Sequence, residues 1–535
     1  MNRSWALIIA MLLTIPCSRI TSGECPPIET VTTSPEGVVI VNGRPFLPIM
    51  AWLQPPETLS LVAKCGMNTT AGYWPGAGGT KDVVEYLKKV QDAGLYGVMP
   101  YHPGLQNHPN LLAYIHDDEP DLPRQISSAK ITAGKGLRLN SRTPLWRMVD
   151  GDETSWSVLD PLEGAEWTVI LDQSVTVRRV AFWVTVSPGL SLPEEIILVV
   201  DDKQAGQFSL QPKRGKQEFD LGSPATGQSW RFTVTKVKPG DQVWGSIGEI
   251  AAYDAEGQNV FLSPPRWVPR ATPQQTWEEY QKIKAADPSR PVAMTFTGYF
   301  HPHFGKWRDE ERQSLYPAYI RATDIVGFDI YPIYGWNKPE WIHLVYEATA
   351  QLKKMAGPRP VYAWIETSKG GQYTGDLERQ KDVTPQHIRA EVWMALCGGA
   401  TAIGYFTHVW KPSYRQFGVP EENQTALREI NEQLTRLAPA ILAKRNTEEI
   451  HLDVTPEVRI AAFSTEYENS IYLFAVNYDP DLKTAQVTFH VPSKLLAGAT
   501  AAEVVDEDRS ISLIDGTLTD SFGPLAVHIY RIRKQ

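Results

Sequence analysis

The sequence has little cysteine: 4 in 535 residues, at positions 17, 25, 65 and 397. Cysteines so few and so widely spaced build neither a disulfide framework nor a CxxC metal knot, and Cys65 and Cys397 fall where small core residues of helices are expected. Also missing is any basic block. Lys and Arg number 52 against 61 Asp and Glu, a net charge of −9, and no stretch could track a phosphate backbone, which excludes nucleic acid as a partner. Long apolar runs are absent apart from Trp5 to Ile15. That run is too short to span a bilayer. With Arg3 before it and small polar residues after it, it reads as a secretory signal cleaved between Ser18 and Glu24. Residues 1–23 are therefore expected to be removed, leaving a secreted or periplasmic chain without a membrane span. Pro16 in front of Cys17 suits lipid anchoring poorly.

Aromatics, by contrast, are plentiful: 10% of residues, with 17 Trp. Many belong to cores, but several sit beside Gly, Pro and His in loop-like stretches, where flat side chains serve as stacking platforms for sugars. A chain of 59.9 kDa exceeds one ordinary core, so two to four domains are expected.

From Phe46 short apolar strands alternate with amphipathic helices. PFLPIMAWL, MNTTAGYW, LYGVMPYHP and LLAYIHDDEP read as strands, while PETLSLVAKCG and TKDVVEYLKKVQDAG carry helical spacing,. Strand, helix, strand implies parallel pairing. The rhythm breaks at 122–271, where WTVILDQSVTVRRVAFWVTV, EEIILVVDDKQAGQF and SWRFTVTKV alternate with period two, the pattern of an inserted all-β sandwich,. It resumes at 272–445 with four more strands, ending VAMTFTGYF, IVGFDIYPI, VYAWIETSKG and AIGYFTHVW. Residues 24–121 and 272–445 together predict eight parallel strands with following helices, a (β/α)8 TIM barrel. The rival, a doubly wound open sheet, usually carries a Gly-rich phosphate turn after its first strand, and AWLQPPE has none,. Strand-like segments in 446–535 predict a C-terminal β-sandwich.

Chemistry in such a barrel sits at the C-terminal ends of the strands. HDDEP (116–120) ends the fourth strand, Asp329 and Tyr331 end the sixth and Glu366 the seventh. Between Glu119 and Glu366 lie 247 positions, of which 150 belong to the inserted segment; the remaining 97 are three strand–helix units. Glu119 and Glu366 are therefore expected to face each other across the mouth. Such a pair can break a glycosidic bond, one protonated carboxyl donating to the leaving oxygen while the other attacks the anomeric carbon. Taken alone, HDDEP also fits a helix N-cap cluster or a solvated strand end. Alternation along a strand would send Asp117 and Glu119 one way and Asp118 the other, but strand ends often twist, so either could reach the mouth.

With strands four and seven each ending in Glu, the barrel resembles a clan A (GH-A) glycoside hydrolase. The resemblance implies that Glu119 is the acid/base, Glu366 the nucleophile, Tyr331 the tyrosine that hydrogen-bonds the nucleophile, and Trp410 the floor under the sugar. Asp118 stands where the family usually has the Asn that contacts the sugar 2-hydroxyl. Trp52, Trp74, His102, Asp329 and Trp364 complete the expected substrate-binding set. YFHPHFG invites a zinc reading, but Pro302 separates the histidines and no third ligand is fixed, so catalysis is expected to need no cofactor,. LWRMVDGDETSW and GSIGEIAAYDAEG resemble the discoidin, or coagulation-factor C-type, domain, a galactose-binding-like jelly roll. That resemblance implies a structural calcium at Asp150, Asp152 and Glu249. The expected function is a secreted, retaining, exo-acting β-glycosidase with a carbohydrate substrate. The alternative is a carbohydrate-binding protein whose barrel has lost turnover.

Overall fold

The computed structural model describes residues 25–73, 75–76, 80–126, 130–264, 266–446, 450–496 and 498–534; the predicted signal (1–23) and Trp74 lie outside them. Two compact units emerge, one combining the described residues up to Leu122 with those from Ala271 onward, the other Pro123–Arg270.

The first unit holds a closed ring of eight parallel strands: β1 (Ile49–Trp52), β2 (Thr69–Ala71), β3 (Tyr96–Met99), β4 (Leu111–Ile115), β5 (Val292–Thr297), β6 (Ile325–Asp329), β7 (Val361–Glu366) and β8 (Ala402–Phe406). Seven helices accompany them among the described residues: α1 (Leu59–Lys64), α2 (Val83–Asp92), α3 (Pro273–Ala286), α4 (Asp309–Ile320), α5 (Leu344–Ala356), α6 (Pro385–Gly398) and α7 (Glu421–Ile441). No helix links β3 to β4; a 3-10 turn, Pro103–Leu105, does so instead. Pro103, Gly104 and Pro109 deny that short connection a helical register,.

Period-two alternation sorts the strand side chains. In β7, Tyr362 and Trp364 turn into the barrel with Met50, Val98 and Ala293, while Val361, Ala363 and Ile365 pack outward against the helices. Glycines on the flanking strands make room for the two large rings. A Cβ at Gly327 would lie 2.1 Å from the Tyr362 ring, and one at Gly404 would lie 2.2 Å from the Trp364 ring. A three-stranded antiparallel sheet (Val31–Thr33, Val39–Val41, Arg44–Phe46) sends Val31, Val39 and Val41 into the same interior core.

Helix starts follow the sequence closely. Thr272 and Thr384 each cap a helix whose first residue is Pro, and Gln275 and His387 return the bond to the cap backbone,. Helix α6 is apolar nearly all round because it is covered on two sides, by the barrel and by the C-terminal sheets,; Trp393 stacks on Phe474 at 5.5 Å. Those sheets, one of three strands and one of five, close over Phe489, Phe522, Leu473 and Tyr530.

The second unit is a seven-stranded antiparallel sheet that folds around Trp167, Phe182, Trp230 and Phe232. Its entering and leaving chains pair as a ribbon, Pro123–Ile126 with Arg266–Pro269.

Candidate active site at the barrel mouth

The acidic stretch after β4 is held at both ends. His116 is buried: its Nδ1 lies 2.7 Å from the Glu279 carboxylate and its Nε2 2.8 Å from the Ala322 carbonyl. At the other end the fully buried Asp121 accepts from the Thr297 N–H at 2.9 Å, the Thr297 hydroxyl at 2.6 Å and the Tyr316 hydroxyl at 2.8 Å. Burial outweighs these donors and pushes its carboxyl up to about 7. Between the anchors the backbone leaves the strand, and Glu119 adopts φ +50°, a left-handed conformation uncommon for residues other than glycine. That turn breaks the expected alternation: Asp117 is exposed, whereas Asp118 and Glu119 both act on Asp329 of β6.

Glu119 and Asp329 line a cavity of about 640 Å³. Burial, then the charges of Glu119 and Asp118, raise the Asp329 carboxyl well above the usual carboxylate range, and the Asp329 and Glu119 side chains are hydrogen-bonded. Asp329 Oδ1 has no partner among the described residues. Tyr331 stands beside the same carboxyls, its phenol pushed up by burial and then by Asp329 and Asp118. Tyr334 also lines the cavity; it is 7% exposed and its hydroxyl is unpaired among the described residues. Aromatic pairs form two walls. Phe304 stacks on Trp336 at 4.9 Å, and Phe406 lies parallel to Trp410 at 6.1 Å. His408 positions the second wall: its Nε2–H donates to the Trp52 carbonyl at 3.0 Å while its Nδ1 accepts from Tyr414.

Glu366 requires a correction. It is 0% exposed and does not line the cavity, so it does not face Glu119 across the mouth. The chain after β6 folds back over it. The Ile333 N–H donates to its two oxygens at 2.9 and 3.1 Å, and the Tyr334 N–H donates at 2.5 Å. Glu391 of α6, also fully buried, lies against it. Burial first, then this neighbour, raises Glu391 well above the carboxylate range; burial brings Glu366 up to about 7.

Three further expected binding residues also sit elsewhere. Trp52 and Trp364 meet edge to face at 5.2 Å inside the barrel core, 8% and 3% exposed; their even register on interior-facing strands puts them beneath the mouth. His102 is exposed and caps the 3-10 turn, its Nδ1 accepting from the Gly104 N–H. Asp118, Asp329, Tyr331 and Trp410 are brought to the mouth with Glu119. Sequence reasoning missed Asp121, Tyr334 and Phe304. A fourth acid directly behind Pro120 was the available signal for Asp121.

In the second unit, Glu249 and Asp150 lie close together, while Asp152 turns to its own loop. Glu249 is 2% exposed with Oε2 unpaired among the described residues, and burial, with Asp150 close by, pushes it up to about 8. The Asp152 carboxylate is spent on its own turn, accepting from the Thr154 N–H at 2.9 Å and the Thr154 hydroxyl at 2.6 Å. Among the described residues no three His, Cys, Asp or Glu side chains are grouped to hold a metal, Asp150, Asp152 and Glu249 included.

The fold is thus an eight-stranded parallel barrel with additional β-sheets. No family model and no curated protein matches the chain. Among solved structures, the CBM32-1 and CBM32-2 domains of Clostridium perfringens ZmpB are similar at 17% identity, over 24% of this chain and 34% of that one, with TM-score 0.21. The family 32 CBM of C. perfringens NanJ, in complex with galactose, is similar at 14% identity, over 24% and 98%, with TM-score 0.20. An Anoxybacillus alpha-amylase is similar at 13% identity, over 50% and 57%, with TM-score 0.33. The similar region thus spans about a third of the ZmpB structure. No helix among the described residues is long and apolar enough to cross a membrane.

Proposed function

We propose that the barrel is a glycoside hydrolase with Glu119 as its acid/base. The observation that carries this reading is the Asp329–Glu119 hydrogen bond inside an aromatic-walled cavity at the C-terminal ends of the strands. Two adjoining carboxyls in a poorly solvated site cannot both ionise easily, so one proton is retained between them. Glu119 would pass the shared proton to the glycosidic oxygen and the pair would recover it from water. Asp329 would tune and orient Glu119, and the stacked rings would hold the sugar.

The withdrawal of Glu366 from the cavity favours a second reading, a carbohydrate-binding barrel without turnover. Hydrolysis of a panel of aryl glycosides, followed by NMR on the wild type, Glu119→Gln and Asp329→Asn, separates the two. Turnover by the wild type that both variants lose supports the enzyme. Sugar binding without turnover in all three leaves the binding protein.

A further inference from the structure

Resting on the glycosidase reading, the two aromatic walls define how much of a substrate the cavity takes. Trp336 lines the cavity and is 38% exposed, yet its backbone is pinned on both sides. The Gly335 N–H donates to the Tyr331 carbonyl at 2.8 Å, and the Asn337 N–H donates to the Ile333 carbonyl at 2.8 Å. The Asn337 side-chain oxygen in turn accepts from the Lys381 N–H at 2.7 Å. Other rings back the indole. Phe304 stacks on it at 4.9 Å and Trp341 stands 6.0 Å away, while His303 packs on Phe304 at 5.1 Å and on Trp341 at 4.5 Å. An exposed ring fixed in this way loses little freedom when a flat, partly apolar ligand stacks on it.

The two walls are carried by different strands. Phe304 and Trp336 lie on the chain that follows β5 and β6, whereas Phe406 ends β8 and Trp410 follows it. Only the β8 wall is joined to the acid group by the ring contacts: Phe406 meets Tyr331 at 4.9 Å and Tyr334 at 5.3 Å, and Tyr331 stands beside Asp329. Glu119 and both walls line the same cavity of about 640 Å³. That lies within the ~300 to 1,000 Å³ of pockets that enclose a drug-sized ligand, which is more than one pyranose.

A general acid stands beside the oxygen that joins the two halves of a glycoside, so a platform is useful on either side of it. The ring that gains positive charge in the transition state belongs beside the carboxyls, over Phe406 and Trp410. The Phe304–Trp336 wall is then left for the ring that departs. We infer that Trp336 is the platform for the leaving sugar, so that the substrate is a saccharide of at least two sugars and not a sugar joined to a small alcohol, a lipid or a protein side chain.

The test uses the full chain and substrates that share the sugar bound at Trp410 but differ in what leaves. The α- and β-glycosyl fluorides of glucose, galactose, mannose and xylose release a group too small to stack; disaccharides and trisaccharides ending in the same sugars release a ring. Trp336→Ala should lower kcat/KM on the saccharides by ~10- to 10²-fold more than on the fluorides, the scale of one anchoring aromatic side chain. Trp336→Phe, which keeps a ring, should recover most of that difference, and Trp410→Ala should cost both substrate classes alike. Trp336→Leu keeps an apolar group against Phe304 and shows the same split should the Ala variant not fold, as read by circular dichroism. Equal losses on fluorides and saccharides, or a wild type that turns over fluorides and no saccharide, overturn this inference and leave the glycosidase standing. No turnover of any of these substrates by folded wild type overturns both.

Discussion

The Asp121 carboxylate takes both the N–H of Thr297, at 2.9 Å, and its hydroxyl, at 2.6 Å, so the turn that presents Glu119 is tied to the end of β5. Removing that tie frees the acid without touching it. Asp121→Ala strands the Thr297 amide and the Tyr316 hydroxyl, each worth ~1 to 3 kcal/mol when buried unsatisfied. We expect a lower Tm together with a fall in kcat, measured by scanning fluorimetry and by steady-state kinetics on the same preparation. A lower Tm with kcat intact would mean that the Glu119 turn holds itself.

Glu119 and Asp329 divide one task, so their variants should lose activity in different ways. Glu119→Gln removes the proton donor and should cost ~10² to 10⁴ in kcat, with substrates bearing good leaving groups spared most. Asp329→Asn keeps the shape but removes the partner charge, and should flatten the pH dependence of kcat that the shared proton creates. Rate profiles on aryl glycosides of graded leaving-group acidity check both. Equal losses across that series would assign Glu119 a binding role.

Glu366 should behave as a structural residue. Its oxygens satisfy the Ile333 and Tyr334 amides, which carry the loop bearing Tyr334 into the cavity. Glu366→Ala is expected to destabilise the chain by ~2 to 4 kcal/mol through those two orphaned donors. Glu366→Gln keeps one acceptor and relieves the crowding with Glu391, so it should retain most of the stability and of kcat. A loss of ~10⁴-fold or more in kcat for folded Glu366→Gln would restore it as the nucleophile.

The barrel was legible because its strands are continuous apolar runs between amphipathic helices, and because a 150-residue segment of contrasting period stood out between β4 and β5. Glu119 was legible as an acid ending a core strand. Its left-handed φ was not, since no glycine marks the position. Nor does strand counting show what covers a strand end. Glu366 shares the inward register of Trp364, but the fold-back of Ile333 and Tyr334 and the burial of α6 under the C-terminal sheets are tertiary events with no local signature. The missing helix between β3 and β4 was written in Pro103, Gly104 and Pro109, and was outweighed by the count of eight.

The buried carboxyls make a prediction about pH that does not depend on substrate. Asp121 rises from 3.8 to about 7 and Glu366 from 4.5 to about 7, both mainly by burial. A carboxyl raised on folding binds its proton more tightly in the folded chain. Its contribution is therefore fully present below the unfolded pKa and is lost as pH rises through about 7. Asp520 acts in the opposite sense. Burial alone would raise it, but Arg509, the Ser521 amide and Tyr530 together lower it, so its contribution is lost as pH falls below the ordinary carboxylate range. Tm should accordingly be highest between about pH 4 and 6 and decline toward pH 8, and Asp121→Asn should flatten the decline. Scanning fluorimetry across that range at constant ionic strength reads both slopes. A Tm that climbs steadily from pH 5 to 8 would show that these groups ionise in the folded chain without penalty, and the carboxyl pair at Asp329 and Glu119 would then lose its claim to a retained proton as well.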